Sequence, residues 1–491
     1  MKGSFSYKLL AVFSSIGVVF FLQAACVNQI GTHIGEDQTN MTTLISSDRT
    51  NPAKGPLTVD PENPRYFTDN HGGAVLLTGS HTWANFLDVD MKKPVDRFDY
   101  DEYLEMMVEH NHNFFRLWTW EENMDVVTGG GNYWSEPPLY ARTGPGLALD
   151  GEPKYDLDSF NQAYFDRLRS RIIAAGEKGI YASIMLFNGW SVENKDGAQD
   201  PWPGHPYHRD NNINGIDGDP NYDGKGVEIH TLQVPRVTEL QKAYVRQVID
   251  TVNDLDNVLF EISNESSSQS YEWQYEMIRY IKEYEKKLPQ QHPVGMTVPY
   301  PNGSNEAVLR SPADWVSLNG EIDNPPAADG SKVIIYDMDH LCGVCMETQW
   351  VWKSFTQGLN PIFMDPDDWF AVPPNFDLKD ARLEKIRRDM GYVLSYAERM
   401  NLEAMTPHGE LSSTGYALAN LTKDQAELFV YLPKGGKITV DLRNISGNLT
   451  VEWFNPATGK RTIPSTPSTG GAKRTLMPPF RGEAVLYLYL K

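Results

Sequence analysis

Cysteine is scarce. The 491 residues hold three, Cys26, Cys342 and Cys345. The last two form a C-G-V-C pair with no thioredoxin-like pattern around it, so we read it as a local disulfide or two quiet thiols rather than a redox centre. Basic residues are also in deficit, with 44 Lys and Arg against 65 Asp and Glu and a formal net charge of −21. A chain this acidic repels phosphate backbones, which argues against nucleic acid as a partner. Glycine-rich phosphate loops and an H-E-x-x-H zinc signature are missing, and no repeat of fixed period stands out. No metal and no cofactor is expected. The one long apolar stretch, Leu9 to Leu22, falls short of the ~20 residues of a spanning helix.

What is present begins with that stretch. Lys2 and Lys8 precede it, and the small residues Ala24 and Ala25 stand before Cys26, the order of an export signal. Leu22-Gln23-Ala24-Ala25-Cys26 resembles a bacterial lipobox, which implies a lipid anchor at Cys26, signal residues 1–25 and a periplasmic or outer-membrane location. Residues 26–55 are polar and lack an apolar period, as in a flexible tether.

Between residues 56 and 403 short apolar runs alternate with amphipathic stretches. The runs are Ala74–Thr78, Phe114–Trp118, Ile180–Leu186, Val258–Ile262, Val294–Val298, Trp315–Leu318, Val333–Tyr336 and Pro361–Met364. Continuous apolar strands are buried on both faces. Helical spacing marks Phe98–Glu109, Gln162–Lys178, Val237–Leu255, Ser270–Lys287 and Asp380–Met400. Eight β-then-α units predict an α/β fold, a (β/α)8 TIM barrel. A strand pair around Leu57–Phe67 is expected to close its bottom. Residues 404–491 change texture to short alternating strands and tight turns, predicting a C-terminal all-β sandwich.

Catalytic groups of such barrels sit where the strands end. Here those ends are acidic, polar and aromatic. Glu265 follows the fourth strand, and Asp337 and Asp339 follow the seventh, so carboxyl groups stand on opposite sides of the ring. Glycoside hydrolysis needs two carboxyl groups flanking a sugar. Asp337 is the first candidate for the second carboxylate, with Asp339 and Glu321 as alternatives, and His340 is placed to hold whichever acts. Glu261 lies further in and reads as half of a buried ion pair. Trp83, Trp118, Trp120 and Trp190 are candidate sugar platforms. His81, Asn188 and Asp365 are candidate substrate contacts. The Ser191 to Leu232 segment forms a long loop over the cleft. Within it Asp210–Asp219 has a calcium-loop composition but lacks the closing Glu of an EF-hand, so it reads as turns over the cleft, with a non-standard calcium site as the alternative.

Ile262-Ser263-Asn264-Glu265 is similar to the Asn-Glu signature of the clan A retaining glycoside hydrolases. That resemblance implies Glu265 as acid/base, Asn264 as the holder of a sugar 2-hydroxyl, Arg116 as the hydrogen-bond partner of the nucleophile and a strand-seven nucleophile, where this chain has Asp337 instead of Glu. Asn63-Pro64-Arg65-Tyr66-Phe67, Leu77-Thr78-Gly79-Ser80-His81-Thr82-Trp83 and the C-terminal sandwich resemble the apiosidase-like barrels of Bacteroidetes, which carry a sandwich often labelled "putative collagen-binding". A retaining glycosidase acting on a carbohydrate is therefore expected. The competing reading is a glycan-binding surface lipoprotein with a disabled carboxylate pair.

Overall fold

A computed structural model describes residues 51–195, 197–366 and 379–490. Cys26 and the export segment lie outside them. Eight parallel strands form one sheet around a common axis: β1 Gly79–His81, β2 Phe114–Leu117, β3 Tyr181–Asn188, β4 Val258–Asn264, β5 Val294–Thr297, β6 Trp315–Ser317, β7 Val333–Asp337 and β8 Asn360–Met364. β8 pairs with β1 through Ile362 and Gly79, so the sheet returns on itself. Beside the seam between β1 and β2, Asn113 Oδ1 accepts from Thr78 N at 2.9 Å, Asn113 N donates to Thr78 O at 3.0 Å, and His112 Nδ1 accepts from Ser80 N at 3.3 Å.

The helices follow the apolar spacing: α1 Tyr100–Glu109, α2 Gln162–Glu177, α3 Pro235–Val252, α4 Tyr271–Glu285, α5 Asn305–Leu309, α6 Met338–Cys342, α7 Trp350–Thr356 and α8 Ala381–Ala397. Side-chain caps start several of them: Asp99 accepts from Glu102 N, Asn161 from Ala163 N and Asp380 from Arg382 N. Two expectations need correction. The connection from β6 to β7 has no helix, because Gly320, Pro325, Pro326 and Gly330 interrupt it. The Ala74–Thr78 run is not the first barrel strand. Ala74 and Val75 pair with Phe67 and Thr68, and the ladder to β8 begins only at Gly79.

That N-terminal three-stranded sheet plugs the barrel's lower end. Leu57, Phe67 and Leu77 pack with Phe114, Tyr181, Leu259, Trp315 and Val333 in one buried cluster. Trp315 fits there because residue 295 is glycine: a Cβ on Gly295 would lie 1.9 Å from the indole.

Two long insertions cover the opposite end. Residues between β2 and α2 form strands Met124–Val127 and Asn132–Glu136, which join Asp88–Asp90 and Gln199–Asp200 in a sheet, then a hairpin of Tyr140–Leu147 and Pro153–Phe160. The segment between β3 and α3 carries short 3-10 turns, including Val227–His230. Cys342 and Cys345 are disulfide-bonded.

The C-terminal part is antiparallel, with Glu427–Leu432, Ala484–Tyr489 and Asn448–Asn455 at the centre of its main sheet and Ile438–Asp441 paired with Lys473–Leu476 beyond it. It packs directly on the barrel. Trp352 of α7 is fully buried and stacks on Phe429 and Tyr431, with interplanar angles of 20° for each. Arg399 and Tyr396 both reach the buried Glu452, at 2.9 and 2.7 Å. Among the described residues no helix is long and apolar enough to cross a membrane.

Candidate active site

Arg116 of β2 is the hub of a buried ionic net. It is 1% exposed. Its Nε and Nη2 grip Glu261 of β4 at 2.9 and 2.5 Å, Nη1 donates to Asp337 Oδ2 at 2.7 Å, and Nη2 also donates to Asn264 Oδ1 at 2.7 Å. The Glu261 ion pair thus stands as expected. Burial disfavours the guanidinium charge, but Glu261 and Asp337 outweigh it and raise the Arg116 pKa.

Hydrogen-bond logic fixes both histidines. The Trp118 indole N–H, which can only donate, gives its hydrogen to His81 Nδ1 at 2.8 Å. His81 Nε2 must therefore carry the ring proton, and it donates to Asp337 Oδ1 at 3.0 Å. Asn264 turns its amide oxygen toward two donors, Arg116 and His340 Nε2, the latter at 3.0 Å. His340 Nδ1 accepts from Ser317 Oγ at 2.7 Å. Burial, helped by the Arg116 charge, lowers the His340 pKa to about 3, so the ring stays neutral. Asn264 is fully buried, yet its Nδ2 has no acceptor among the described residues. A buried amide left half-satisfied is costly unless a ligand completes it.

The three acids differ in character. Asp337 is fully buried and both its oxygens accept hydrogen bonds, Oδ1 also from Asp339 N at 3.0 Å. Burial opposes its charge, but His81 and Arg116 hold its carboxyl well below the usual range. Asp339 keeps a side chain 13% exposed, 3.6 Å from Arg116 Nη1, and among the described residues its Oδ2 has no hydrogen-bond donor. Burial, then the charges of Glu265 and Asp337, push its carboxyl well above the ordinary value. Glu265 is 8% exposed and accepts from Trp190 Nε1 at 2.6 Å. Burial raises its pKa, with Trp190 and Arg116 offsetting part of the effect.

Glu265 sits at φ 45°, a left-handed conformation for a non-glycine residue. Strain of this kind costs ~1–3 kcal/mol and persists where the surroundings over-determine it. One determinant is Gly189: a Cβ there would lie 2.3 Å from Glu265 O and 2.5 Å from Ser266 Cα. Both are backbone atoms, so relief requires moving the acid. Gly189→Ala is expected to cost ~1–3 kcal/mol of stability and about 100-fold in turnover, since ~1 Å of misplacement costs that much. Thermal melting and kcat measured together check it.

A second buried relay backs the acid. Glu121 Oε1 accepts from His230 Nε2 at 2.8 Å and Asn188 N at 3.0 Å, while His230 Nδ1 meets Ser266 Oγ at 3.0 Å. Although burial opposes its charge, His230 and His205 bring the Glu121 pKa down to about 2. Sequence reasoning gave Glu121, His205, His230 and Ser266 no role. The only signal was the acidic pair Glu121-Glu122 after β2, and its partners come from the next insertion.

Several candidate substrate contacts are internal instead. Trp118 is 1% exposed and serves His81, so it is not a platform. His81 and His340 hold the net rather than facing solvent. Asn188 spends its amide on Thr119 O and Trp190 N. Asp365 is gripped by Arg387 Nε and Nη2, both at 2.6 Å. Glu321 is exposed. Trp83, Trp120 and Trp190 remain half-buried, with Trp120 Nε1 donating to Trp83 O at 2.9 Å. Trp190 stacks on Tyr300 at 6.2 Å and 12°, and Tyr300 is 44% exposed, an aromatic the sequence reading did not single out. Asp337, Asp339 and His340 approach within 4.8 Å of one another, but Arg116 already supplies positive charge there, and both His340 nitrogens are engaged.

A barrel with a carboxyl after β4, carboxyls after β7 and an arginine between them is the class of architecture to which known structures can be compared. The chain covers 88% of itself and 93% of a glycoside hydrolase family 5 protein from Bacteroides vulgatus, with a TM-score of 0.57 at 12% identity. A second Bacteroides vulgatus protein, described as a "putative glycoside hydrolase", gives 0.59 at 12% identity, over 90% of this chain and 83% of that one. These likenesses are of fold. Residues 105–314 match the family model "Domain of unknown function (DUF6298)", and residues 409–484 match "Putative collagen-binding domain of a collagenase". No curated protein matches the chain in sequence.

Proposed function

We propose that the chain is a glycoside hydrolase in which Glu265 protonates the leaving oxygen and Asp339 is the second carboxylate. The observation that carries it is the pair itself: two carboxyls at one barrel mouth, both raised by burial, the charge of one raising the other. Such a pair holds one proton between its members across a pH range where isolated acids are ionised. The competent form carries that proton on Glu265 and the charge on Asp339, where Arg116 at 3.6 Å faces it and works against the burial that raises Asp339 the further of the two. The Asn264 amide hydrogens are available for a sugar hydroxyl, and Trp190 with Tyr300 for a sugar face. Asp337 is the ionised anchor that keeps Arg116 and His81 in place.

Asp337 as nucleophile is the second reading, favoured by its place as the last residue of β7. Asp339→Asn is expected to lower kcat by ~10³-fold or more with melting unchanged, whereas Asp337→Asn lowers stability because His81 and Arg116 lose their acceptor. Turnover surviving Asp339→Asn, with loss in a folded Asp337→Asn, would exchange the roles. Retention of anomeric configuration, read by NMR on the first product formed, is expected from the clan resemblance. Export with a lipid anchor at Cys26 is part of the proposal. The Cys342–Cys345 disulfide supports it, since such bonds persist in oxidising compartments.

A further inference from the structure

The insertion between β3 and α3 holds a second acidic cluster with a different character. A carboxylate oxygen from each of Asp219, Asp223 and Glu228 lies within 4.8 Å of the others. Asp219 is 7% and Glu228 8% exposed. Among the described residues no Lys, Arg or His pairs with any of the three. Glu228 Oε2 is buried without a hydrogen-bond donor, while Oε1 takes one from Asn221 Nδ2. Three converging acids that no basic side chain pairs with, one of them holding a buried oxygen without a donor, are a donor set that a cation would neutralise.

The local sequence says which cation. Asp219-Pro220-Asn221-Tyr222-Asp223-Gly224 places oxygen-bearing side chains at the first, third and fifth positions of a calcium loop and glycine at the sixth, with φ 79° at Gly224. The acid that closes the site is Glu228, nearer than the twelfth position of the EF-hand. The Asp210–Asp219 window considered from sequence ended where this loop starts. In that window Asn211 and Asn212 spend their amides on backbone carbonyls of the loop.

We infer that Asp219, Asp223 and Glu228 bind a calcium ion. All donors are oxygens, the preference of a hard cation, and calcium tolerates the irregular geometry that magnesium does not. The ion would pin the Val227–His230 turn, and His230 of that turn bonds Glu121 and Ser266 beside Glu265. The inference does not depend on what the neighbouring site does.

The test is calorimetric titration of the EDTA-treated full chain with CaCl2, alongside thermal melting with and without CaCl2. One ion per chain and a calcium-dependent rise in melting temperature are expected. Asp223→Asn changes an exposed residue and Glu228→Gln keeps the buried side chain's shape. Each should weaken calcium at least about tenfold and abolish the melting shift. The inference is overturned if the wild type shows neither heat nor shift at about 10 mM CaCl2, above the ~10⁻³ M limit of weak extracellular calcium modules. It is equally overturned if folded variants bind as tightly as wild type, or if MgCl2 binds and CaCl2 does not.

Discussion

Glu265→Gln is expected to lower hydrolysis of a natural glycoside by ~10³-fold or more. The amide keeps the shape and the Trp190 contact but has no proton to give to a poor leaving group. An aryl glycoside with an acidic phenol needs less protonation, so its loss should be far smaller. A purely structural role for Glu265 would depress both substrates alike. The pH profile carries the same information. Burial holds the Glu265 pKa above its ordinary value, so the wild type should lose activity as pH rises through that raised value and the carboxyl ionises. The alkaline limb should vanish from whatever activity Glu265→Gln retains.

Arg116→Met should be the most damaging single change to the fold. It leaves Glu261 and Asp337, both fully buried, without their cation, and Asn264 without one of its two donors. Breaking a buried pair by removing one partner costs ~3–5 kcal/mol, most of it the stranded charge. That origin is testable. Adding Glu261→Gln to Arg116→Met removes one stranded charge, so the double variant should melt higher than Arg116→Met alone. If the double variant melts lower still, the arginine acts by packing rather than by charge balance.

The barrel and the sandwich were legible because their strands are short apolar runs set by local pattern, and α2 and α4 fell within two residues of their expected ends. The position of Glu265 was legible because it directly follows a buried strand. Trp118 was misjudged for a reason of pleat. β2 ends at Leu117, and Trp118 lies two residues beyond Arg116, on the face turned to the interior net rather than to the rim. Asp365 was misjudged because its partner Arg387 stands on α8, a contact no local pattern announces. The strands at 124–127 and 132–136 escaped because their sheet is completed by Asp88–Asp90 and Gln199–Asp200, distant in sequence, and the hairpin of 140–147 and 153–160 because its residues are polar and aromatic rather than continuously apolar. Glu228 was missed because the window read from sequence started nine residues early and because Glu228 is the tenth, not the twelfth, residue counted from Asp219.

The central claim is that this barrel cleaves a glycosidic bond through Glu265. The most direct measurement incubates the purified chain and its Glu265→Gln variant with a panel of plant, algal and host glycans, following both product release by chromatography and binding. The account predicts one class of glycan from which the wild type releases sugar, while the variant binds that glycan without releasing any. If both proteins bind the same glycan and neither releases product, the site is a binding cleft and the catalytic account is wrong.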